Sequence, residues 1–396
     1  MINQNSPEYE KETVILAQID LTTGSIPKTL LRFAFPMICG NLLQQLYNVA
    51  DTLIVGRFLG SDALGAVGSS YTLMTFLTSI LLGLCMGSGA LFSVCWGQRD
   101  LARLRRQTHA AFVLIAVCTV VLNAAAFLLL DAMKTLLSVP AEVWPLMRSY
   151  LFVIFFGIGG TFLYNYYASL LRAVGNSLVP LLFLAASAVL NIALDLVFVL
   201  VCRWGVEGAA AATVLAQWLS GIGTAVYTLV RCPELRARRE ERRITGSMLR
   251  ELLSASVLTC LQQSVMNLGI LMVQGRINSF GPVIMAAFAA AVKIDSFAYM
   301  PLQDFGNAFS TFIAQNYGAQ QPERIRRGIR TAVILSSVFA VCVSACVVLL
   351  AAPLLGLFLQ PGETEILQAG VTYLRIAGAF YVGIGGVFPV SYTHLT

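Results

Sequence analysis

Long apolar stretches separated by short polar ones occupy almost the whole chain. Ten of these stretches are long enough to cross the hydrocarbon core of a bilayer, ~30 Å thick, which takes about 20 helical residues. The predicted spans cover residues 30–56, 67–95, 108–130, 148–171, 178–202, 207–230, 252–275, 284–313, 330–355 and 370–390. This pattern predicts an all-α fold, that of a polytopic membrane protein.

The second half of the chain repeats the first. Leu43-Gln44-Gln45 returns as Leu261-Gln262-Gln263 about 220 residues later, and Gly157-Ile158-Gly159-Gly160 returns as Gly383-Ile384-Gly385-Gly386. Duplicated membrane bundles are typical of transporters, because two equivalent halves can rock about a site at their interface. The repeat therefore predicts two helical bundles around a central site.

One long charged interruption, the linker of residues 231–250, divides the chain into these two bundles. Before it lie a polar N-terminal segment, residues 1–27, and the amino-terminal lobe, residues 28–230, with six predicted spans. After it lies the carboxy-terminal lobe, residues 251–396, with four. The second copy of the repeat stops within what the first copy shows as its fourth span. We therefore expect this lobe to be incomplete, with two further spans after residue 390 in the native gene and residues 391–396 foreign to it.

Composition places the chain in a membrane. Hydrophobic residues make up 57% and charged residues 12%, with a mean hydropathy of +0.76, whereas soluble domains have roughly 25% charged residues. Residues 1–27 lack the basic start and short apolar core of a cleaved signal peptide. Most of the nine cysteines lie in apolar stretches and the two histidines lack ligand spacing. We therefore expect no disulfide framework, no metal site and no cofactor.

The cations are distributed unequally between the two sides of the membrane. Nineteen Lys and Arg residues fall on the side of the N-terminus and the linker, against six on the other side. Because cytoplasmic loops retain cations, this bias predicts a cytoplasmic N-terminus in the plasma or inner membrane. The net charge of +6 needs no nucleic acid partner, since basic loops that set topology also contact anionic lipid. We expect a monomer in the lipid bilayer.

Ionisable side chains inside the predicted spans are few. Each is expected to have a structural or functional role, because insertion of a charged side chain into the bilayer costs about 2.5–3.5 kcal/mol. The amino-terminal lobe has Asp51 and Asp195, and the carboxy-terminal lobe has Lys293, Asp295 and Asp304. Lys293 and Asp295 are two residues apart and cannot share a helix face, so each would pair elsewhere.

Asp195 has polar neighbours at helical spacing. Asn191 lies one turn earlier on the same predicted face, and Thr213 opens the span that follows. A carboxyl group held out of water can bind and release a proton as its surroundings change. The same groups can also serve only as hydrogen-bonded contacts between helices. Two acids with amide and hydroxyl partners in one lobe favour the functional interpretation.

Together these residues resemble a known family. The run Asn48-Val49-Ala50-Asp51-Thr52-Leu53-Ile54-Val55-Gly56, the pair Gly97-Gln98 and the spacing of Asn191, Asp195 and Thr213 are similar to the multidrug and toxic compound extrusion (MATE) family. The resemblance covers residues 28–390 and implies two six-helix lobes around a central cavity. It also implies export of small organic cations in exchange for protons or sodium ions. By position, it implies an ion-coupling and substrate-binding site of Asp51, Asn191, Asp195 and Thr213, supported by Tyr150 and Asn165.

The carboxy-terminal lobe departs from the family pattern. Some sodium-coupled members carry an acid in the seventh span, where this chain has Gln262-Gln263, and another in the tenth, where it has none. The second-lobe candidates are therefore Gln262, Lys293 and Asp295. Coupling is expected through the amino-terminal lobe, whose acids favour protons without excluding sodium.

Two other functions stay open beside a secondary antiporter. A flippase for lipid-linked saccharides would need a cavity lined with cations to hold pyrophosphate, whereas the embedded charges of the amino-terminal lobe are acids. An intramembrane enzyme would need a nucleophile with a base, or a metal pair, and the spans contain no such set. The chain has no Gly-x4-Gly-Lys-Ser/Thr motif, which excludes ATP as an energy source within it. A secondary antiporter, not an enzyme, is the favoured interpretation.

Overall fold

The structure, a computed structural model, describes residues 18–136, 143–278, 280, 282–356 and 364–393. This part of the chain is helical and contains no β-strand. Ten long helical segments within it coincide with the ten predicted spans, which confirms the all-α fold. Six of these segments are apolar enough to cross a membrane by length and composition alone: Ala63–Gly97, Leu101–Leu128, Trp144–Ala173, Leu178–Val201, Gly205–Arg231 and Pro322–Leu349.

The described part of the amino-terminal lobe contains eight α-helices, two of them joined end to end. They are α1 Ile26–Leu59, α2 Ser61–Gly97, α3 Leu101–Leu128, α4 Ala132–Leu136, α5 Trp144–Ile154, α6 Ile158–Ala173, α7 Leu178–Asp195 and α8 Gly205–Arg231. A 3-10 turn, Phe155–Gly157, joins α5 to α6, and a π-helical segment, Leu196–Val201, extends α7.

The linker contains two short 3-10 turns, Pro233–Leu235 and Arg239–Arg242. The described part of the carboxy-terminal lobe then forms α9 Gly246–Asn278, α10 Pro282–Gly318, α11 Pro322–Leu349, α12 Ala351–Gly356 and α13 Thr364–Thr393. The boundaries of the two lobes remain predictions from the sequence. The terms amino-terminal lobe and carboxy-terminal lobe refer to the predicted ranges.

Local sequence explains where the first helices begin and end. Pro27 lies in the first turn of α1, where its missing N–H is not needed, and Pro36 removes a backbone donor further inside that helix. Gly60 separates α1 from α2 with a φ of +92°, which other residues rarely adopt. Asp100 caps α3 by accepting a 2.9 Å hydrogen bond from the Arg103 backbone N–H.

Charged contacts fasten the linker and the first turns of α9 to α3. The guanidinium of Arg105 donates to both carboxylate oxygens of Glu241, at 2.8 and 2.7 Å, and this contact lowers the pKa of Glu241 to about 2. Arg103 and Gln107 both donate to the Glu251 carboxylate, at 2.5 and 2.7 Å. The helix termini that lie beside the linker therefore form one end of the molecule, which we call the linker end.

Aromatic packing forms the core of the amino-terminal lobe. Tyr166 of α6 lies edge-on to Phe112 of α3 with ring centroids 5.3 Å apart, and its hydroxyl donates a 2.6 Å hydrogen bond to the Thr108 carbonyl. Such aromatic pairs contribute about 0.5–1.5 kcal/mol beyond the area they bury. A second apolar cluster joins the lobes at the linker end, where Phe33 of α1 and Phe309 of α10 are both fully buried.

Glycines let the two lobes approach closely at the linker end. A Cβ atom on Gly87 of α2 would lie 2.5 Å from the Ser256 Cα of α9, and one on Gly83 would lie 2.8 Å from the Cys260 Cα. Nearer the other end of α2, a Cβ atom on Gly65 would meet nothing within 4 Å. The lobes are therefore in backbone contact at the linker end, and Gly65 makes no such contact.

The segment before α1 crosses between the lobes at the linker end. Its Ile19 N–H donates to the Gly175 carbonyl of the α6–α7 loop at 2.9 Å. On the other lobe, the Arg324 guanidinium of α11 donates to the carbonyls of Leu21, at 3.2 Å, and Thr23, at 2.6 Å. Residues 18–25 therefore form a strap that ties the two lobes together.

Candidate functional site

A cavity of about 510 Å³ lies between the two lobes, within the range of pockets that bind small molecules. Helices α1, α2 and α5 to α8 line it from the amino-terminal lobe, and α9 and α10 line it from the carboxy-terminal lobe. Its polar lining includes Asn41, Gln44, Gln45, Asn48, Asp51, Thr75, Thr78, Tyr150, Asn165, Arg172, Asn191, Thr213, Gln263, Asn267, Gln303, Asp304 and Asn307.

Asp51 and Asp195 meet at the wall of this cavity. Their carboxyl groups are close enough for a hydrogen bond if one of them carries a proton. Asp195 is fully buried, and neither of its oxygens receives a hydrogen bond from the described protein. Oδ1 of Asp51 is also buried without a donor. Two acids in this arrangement can hold a shared proton or a cation between them.

Asn191 and Thr213 complete the group predicted from the sequence. The Asn191 amide donates to the Thr213 hydroxyl at 3.4 Å, which links α7 to α8, and the hydroxyl donates to the Ala209 carbonyl at 3.1 Å. The amide oxygen of Asn191 is buried without a donor, so it is another acceptor available to a cation. The structure thus brings four predicted residues, Asp51, Asn191, Asp195 and Thr213, to one place.

A π-helical segment begins directly after Asp195. Segments of this kind frequently occur at functional sites, because the wider turn changes the direction of neighbouring side chains. Leu196–Val201 is such a segment, and α7 ends at Asp195 where it starts. Nothing in the sequence indicates this π-helical segment, since residues Leu196–Val201 are apolar and fit an ordinary membrane helix equally well.

The two supporting residues differ in their relation to the acids. Tyr150 of α5 is buried, lines the cavity and lies within electrostatic range of both Asp51 and Asp195. Asn165 of α6 also lines the cavity, but its amide donates to the Thr161 carbonyl of its own helix at 2.9 Å. Tyr150 therefore lies beside the two acids, whereas Asn165 lies on a neighbouring part of the cavity wall.

The three second-lobe candidates lie away from the cavity. Gln262 is exposed on the outer side of α9, and the adjacent Gln263 is the glutamine that lines the cavity. Lys293 of α10 is also exposed. Asp295 accepts a hydrogen bond from the Tyr381 hydroxyl of α13, which joins two helices within the carboxy-terminal lobe. In the described part of the chain, these three side chains are not brought to the acids of the other lobe.

Among the described residues of the carboxy-terminal lobe, Asp304 of α10 is the acid that lines the cavity. It is 3% exposed and accepts a 2.5 Å hydrogen bond from the Asn41 amide of α1, across the interface between the lobes. The sequence shows Asp304 as an embedded acid but does not show which way it faces. Asp304 and Asn41 line the cavity but are not among the site residues predicted from the sequence.

Comparison with known proteins gives one consistent result. The MatE family model matches residues 36–197 and 255–394. The chain is 30% identical to the probable multidrug resistance protein YpnP of Bacillus subtilis over 312 residues, 77% of this chain and 68% of that protein. It is 27% identical to the probable multidrug resistance protein YoeA of Bacillus subtilis over 347 residues, 86% of this chain and 75% of that protein.

The fold is also that of solved transporters. A crystal structure of MATE in complex with MaL6 matches with a TM-score of 0.89 at 22% identity, over 95% of this chain and 84% of that one. At this identity the likeness concerns the fold.

Proposed function

This chain belongs to the MATE family of multidrug efflux transporters, and on that premise we propose that it exports cationic amphipathic compounds in exchange for protons or sodium ions. It is a multi-pass membrane transporter and not an enzyme. The proposal concerns the substrate class, the coupling ion and the residues that bind both.

The observation that carries the proposal is the pair of carboxyl groups at the wall of the cavity, which Asp51 lines while Asp195 lies buried beside it. Two negative charges as close as those of Asp51 and Asp195 repel each other strongly where water is excluded. The pair becomes stable when it takes up a proton or a positively charged ligand. One pair of acids can therefore bind coupling ion and substrate in turn, which is what an antiporter needs.

The remaining lining supports a cationic rather than an anionic substrate. Among the described residues that line the cavity, Asp51 and Asp304 are negative and Arg172 alone is positive. Such a lining attracts cations and disfavours the pyrophosphate of a lipid-linked saccharide. Flexible methionines complete the apolar part and can adapt to molecules of different shape: Met37, Met74, Met86, Met266 and Met300.

The proposed cycle places the linker end in the cytoplasm. When the cavity faces the cytoplasm, a cationic substrate binds the ionised carboxylates of Asp51 and Asp195. After the lobes rock, protons or sodium ions from outside neutralise the same carboxylates, and the substrate leaves. The neutralised site then returns through the low-dielectric centre at a smaller electrostatic cost than two bare carboxylates. Because the substrate and the coupling ion compete for one site, export of the substrate is coupled to entry of the ion.

Ethidium efflux under an imposed proton gradient, and then under a sodium gradient, tests the proposal. We expect Asp51→Asn and Asp195→Asn to abolish gradient-driven efflux while membrane insertion stays normal, because each removes a charge that binds both ligands. Asn191→Ala and Thr213→Ala should reduce efflux less, since each removes one neutral ligand. Asp131→Asn is the control, because it removes the same charge from an exposed position outside the cavity. Wild-type efflux in both carboxylate variants would refute the assignment.

A further inference from the structure

Asp304 lines the cavity and has one carboxylate oxygen without a hydrogen-bond donor. One of its oxygens accepts the Asn41 amide hydrogen bond, whereas Oδ2 is buried and receives no hydrogen bond in the described part of the protein. The residue as a whole is only 3% exposed. A buried acceptor without a donor is costly, by about 1–3 kcal/mol and more when it is charged. This oxygen therefore favours a ligand that is a donor or a cation.

Asn307 adds a second free oxygen on the same helix face. It lies three residues after Asp304 on α10, so the two side chains are neighbours along the helix. Both line the cavity, and the amide oxygen of Asn307 is also buried without a donor. Two acceptors presented together, one of them a carboxylate, form a site for a positively charged group rather than for an anion.

Arg172 lines the same cavity and moderates this site. Its charge acts on Asp304, and its guanidinium is within hydrogen-bonding reach of the Tyr164 hydroxyl. Nε of Arg172 is itself buried without a partner. Because Arg172 offsets part of the negative charge, Asp304 alone should bind a cation more weakly than the pair of Asp51 and Asp195 does.

The two cation sites lie at different heights of one cavity. Asn41, which contacts Asp304, and Asp51 are ten residues apart on the same helix, α1. Ten residues of α-helix span about 15 Å along the axis, and no proline interrupts this part of α1. A single ligand that carries two charges at about this separation can therefore reach both sites at once.

We propose that Asp304 and Asn307 form a second cation-binding site at the linker end of the cavity, which makes the transporter selective for elongated dications. One charged group binds between Asp51 and Asp195, and the other binds Asp304 and Asn307. The proposal rests on the proposed function, because it takes the first acid pair as the site for a single cation. It adds a substrate class defined by the distance between two charges.

Binding of bis-trimethylammonium alkanes to the purified full-length chain tests this proposal. The series includes spacers shorter than, equal to and longer than ~15 Å, and each compound competes with fluorescent ethidium. We expect affinity to peak at the matching spacer, about tenfold above the shortest compound, because only the matching compound engages both sites. A flat dependence of affinity on spacer length in the wild-type protein overturns the proposal.

Variants of the second site separate it from the first. Asp304→Asn should abolish the peak, so that affinity no longer depends on spacer length, whereas Asp304→Glu should keep the peak. Asn307→Ala should lower the peak, and Arg172→Gln should raise it, because the competing positive charge is gone. A purely structural role of these residues would not make one of the variants bind more tightly. Asp131→Asn removes an exposed acid outside the cavity and is the charge-matched control.

The outcomes distinguish this inference from the proposed function. A peak that persists in Asp304→Asn overturns the second site, while the first stands if ethidium binding still depends on Asp51. Failure of ethidium and of every dication to bind the wild-type protein overturns both. If Asp304→Asn fails to fold, the wild-type spacer profile and Asn307→Ala decide, since Asn307→Ala introduces no new polar group into the cavity.

Discussion

A methyl group added at Gly87 should prevent the lobes from closing at the linker end. The new Cβ atom would lie 2.5 Å from the Ser256 Cα and 2.7 Å from the Ala255 carbonyl oxygen. Comfortable contacts between carbon atoms are ~3.5–4.0 Å, so α2 and α9 must separate by about 1 Å. Because both neighbouring atoms belong to the backbone, no side-chain rotation can relieve the contact.

The expected size of the effect follows from the cost of overpacking. Insertion of one extra methyl group into a well-packed interface costs about 1–3 kcal/mol. This cost falls only on the conformation in which the linker end is closed, so the population of that conformation should drop by about 5- to 150-fold. Gly65→Ala is the matched control on the same helix, because nothing lies within 4 Å of its added Cβ atom.

The thiol of Cys260 reports on this closure. It lies on α9 against Gly83, one helical turn from Gly87 along α2, and donates a 3.4 Å hydrogen bond to the Ile80 carbonyl of α2, whereas Cys202 is exposed and serves as an internal reference. Maleimide labelling followed by peptide mass spectrometry should show faster modification of Cys260 in Gly87→Ala and no change in Gly65→Ala. Equal labelling of Cys260 in wild type and Gly87→Ala would show that the close approach does not control access.

Two further predictions concern orientation and the linker. In a cysteine-free background, an impermeant thiol reagent outside intact cells should label Arg57→Cys and fail to label Glu240→Cys; the reverse pattern would invert the topology and the direction of transport. Glu241→Gln should lower the melting temperature in detergent at pH 7, by an amount that reflects ~1 kcal/mol, because Arg105 loses its carboxylate partner. The folded-state pKa of Glu241 is lowered from 4.5 to about 2, so its contribution is present above pH 4.5 and lost as pH falls through 2. A wild-type advantage that persists below pH 2 would contradict this account.

The helices and the first acid group could be predicted because both depend on local patterns. Apolar length alone predicts the spans, since a membrane helix needs about 20 apolar residues whatever its neighbours are. The four-residue spacing of Asn191 and Asp195 places them on one face of any helix. Their meeting with Asp51 required the resemblance to a family, because nothing local connects residues 144 positions apart.

The acids of α10 show why the second site could not be predicted. Asp295 and Asp304 are nine residues apart, which is 2.5 helical turns, so they lie about 180° from each other around the helix axis. One faces the cavity and the other faces α13, but a helix that is apolar on nearly all sides does not show which. Gln262 and Gln263 show the same ambiguity, because only the packing of α9 determines which of them faces the cavity.

The strap of residues 18–25 also determines when the transporter can be completed. Its bond from Arg324 to Leu21 joins residues 303 positions apart, so the strap cannot reach its partner in the carboxy-terminal lobe until most of the chain has been synthesised. At ~5–20 residues per second, the ribosome needs about 15–60 s to produce the intervening residues. During this interval the amino-terminal lobe can fold around its own aromatic core. Closure of the linker end is therefore a late step of biogenesis, which depends on insertion of α11 rather than on the lobe that carries the acid pair.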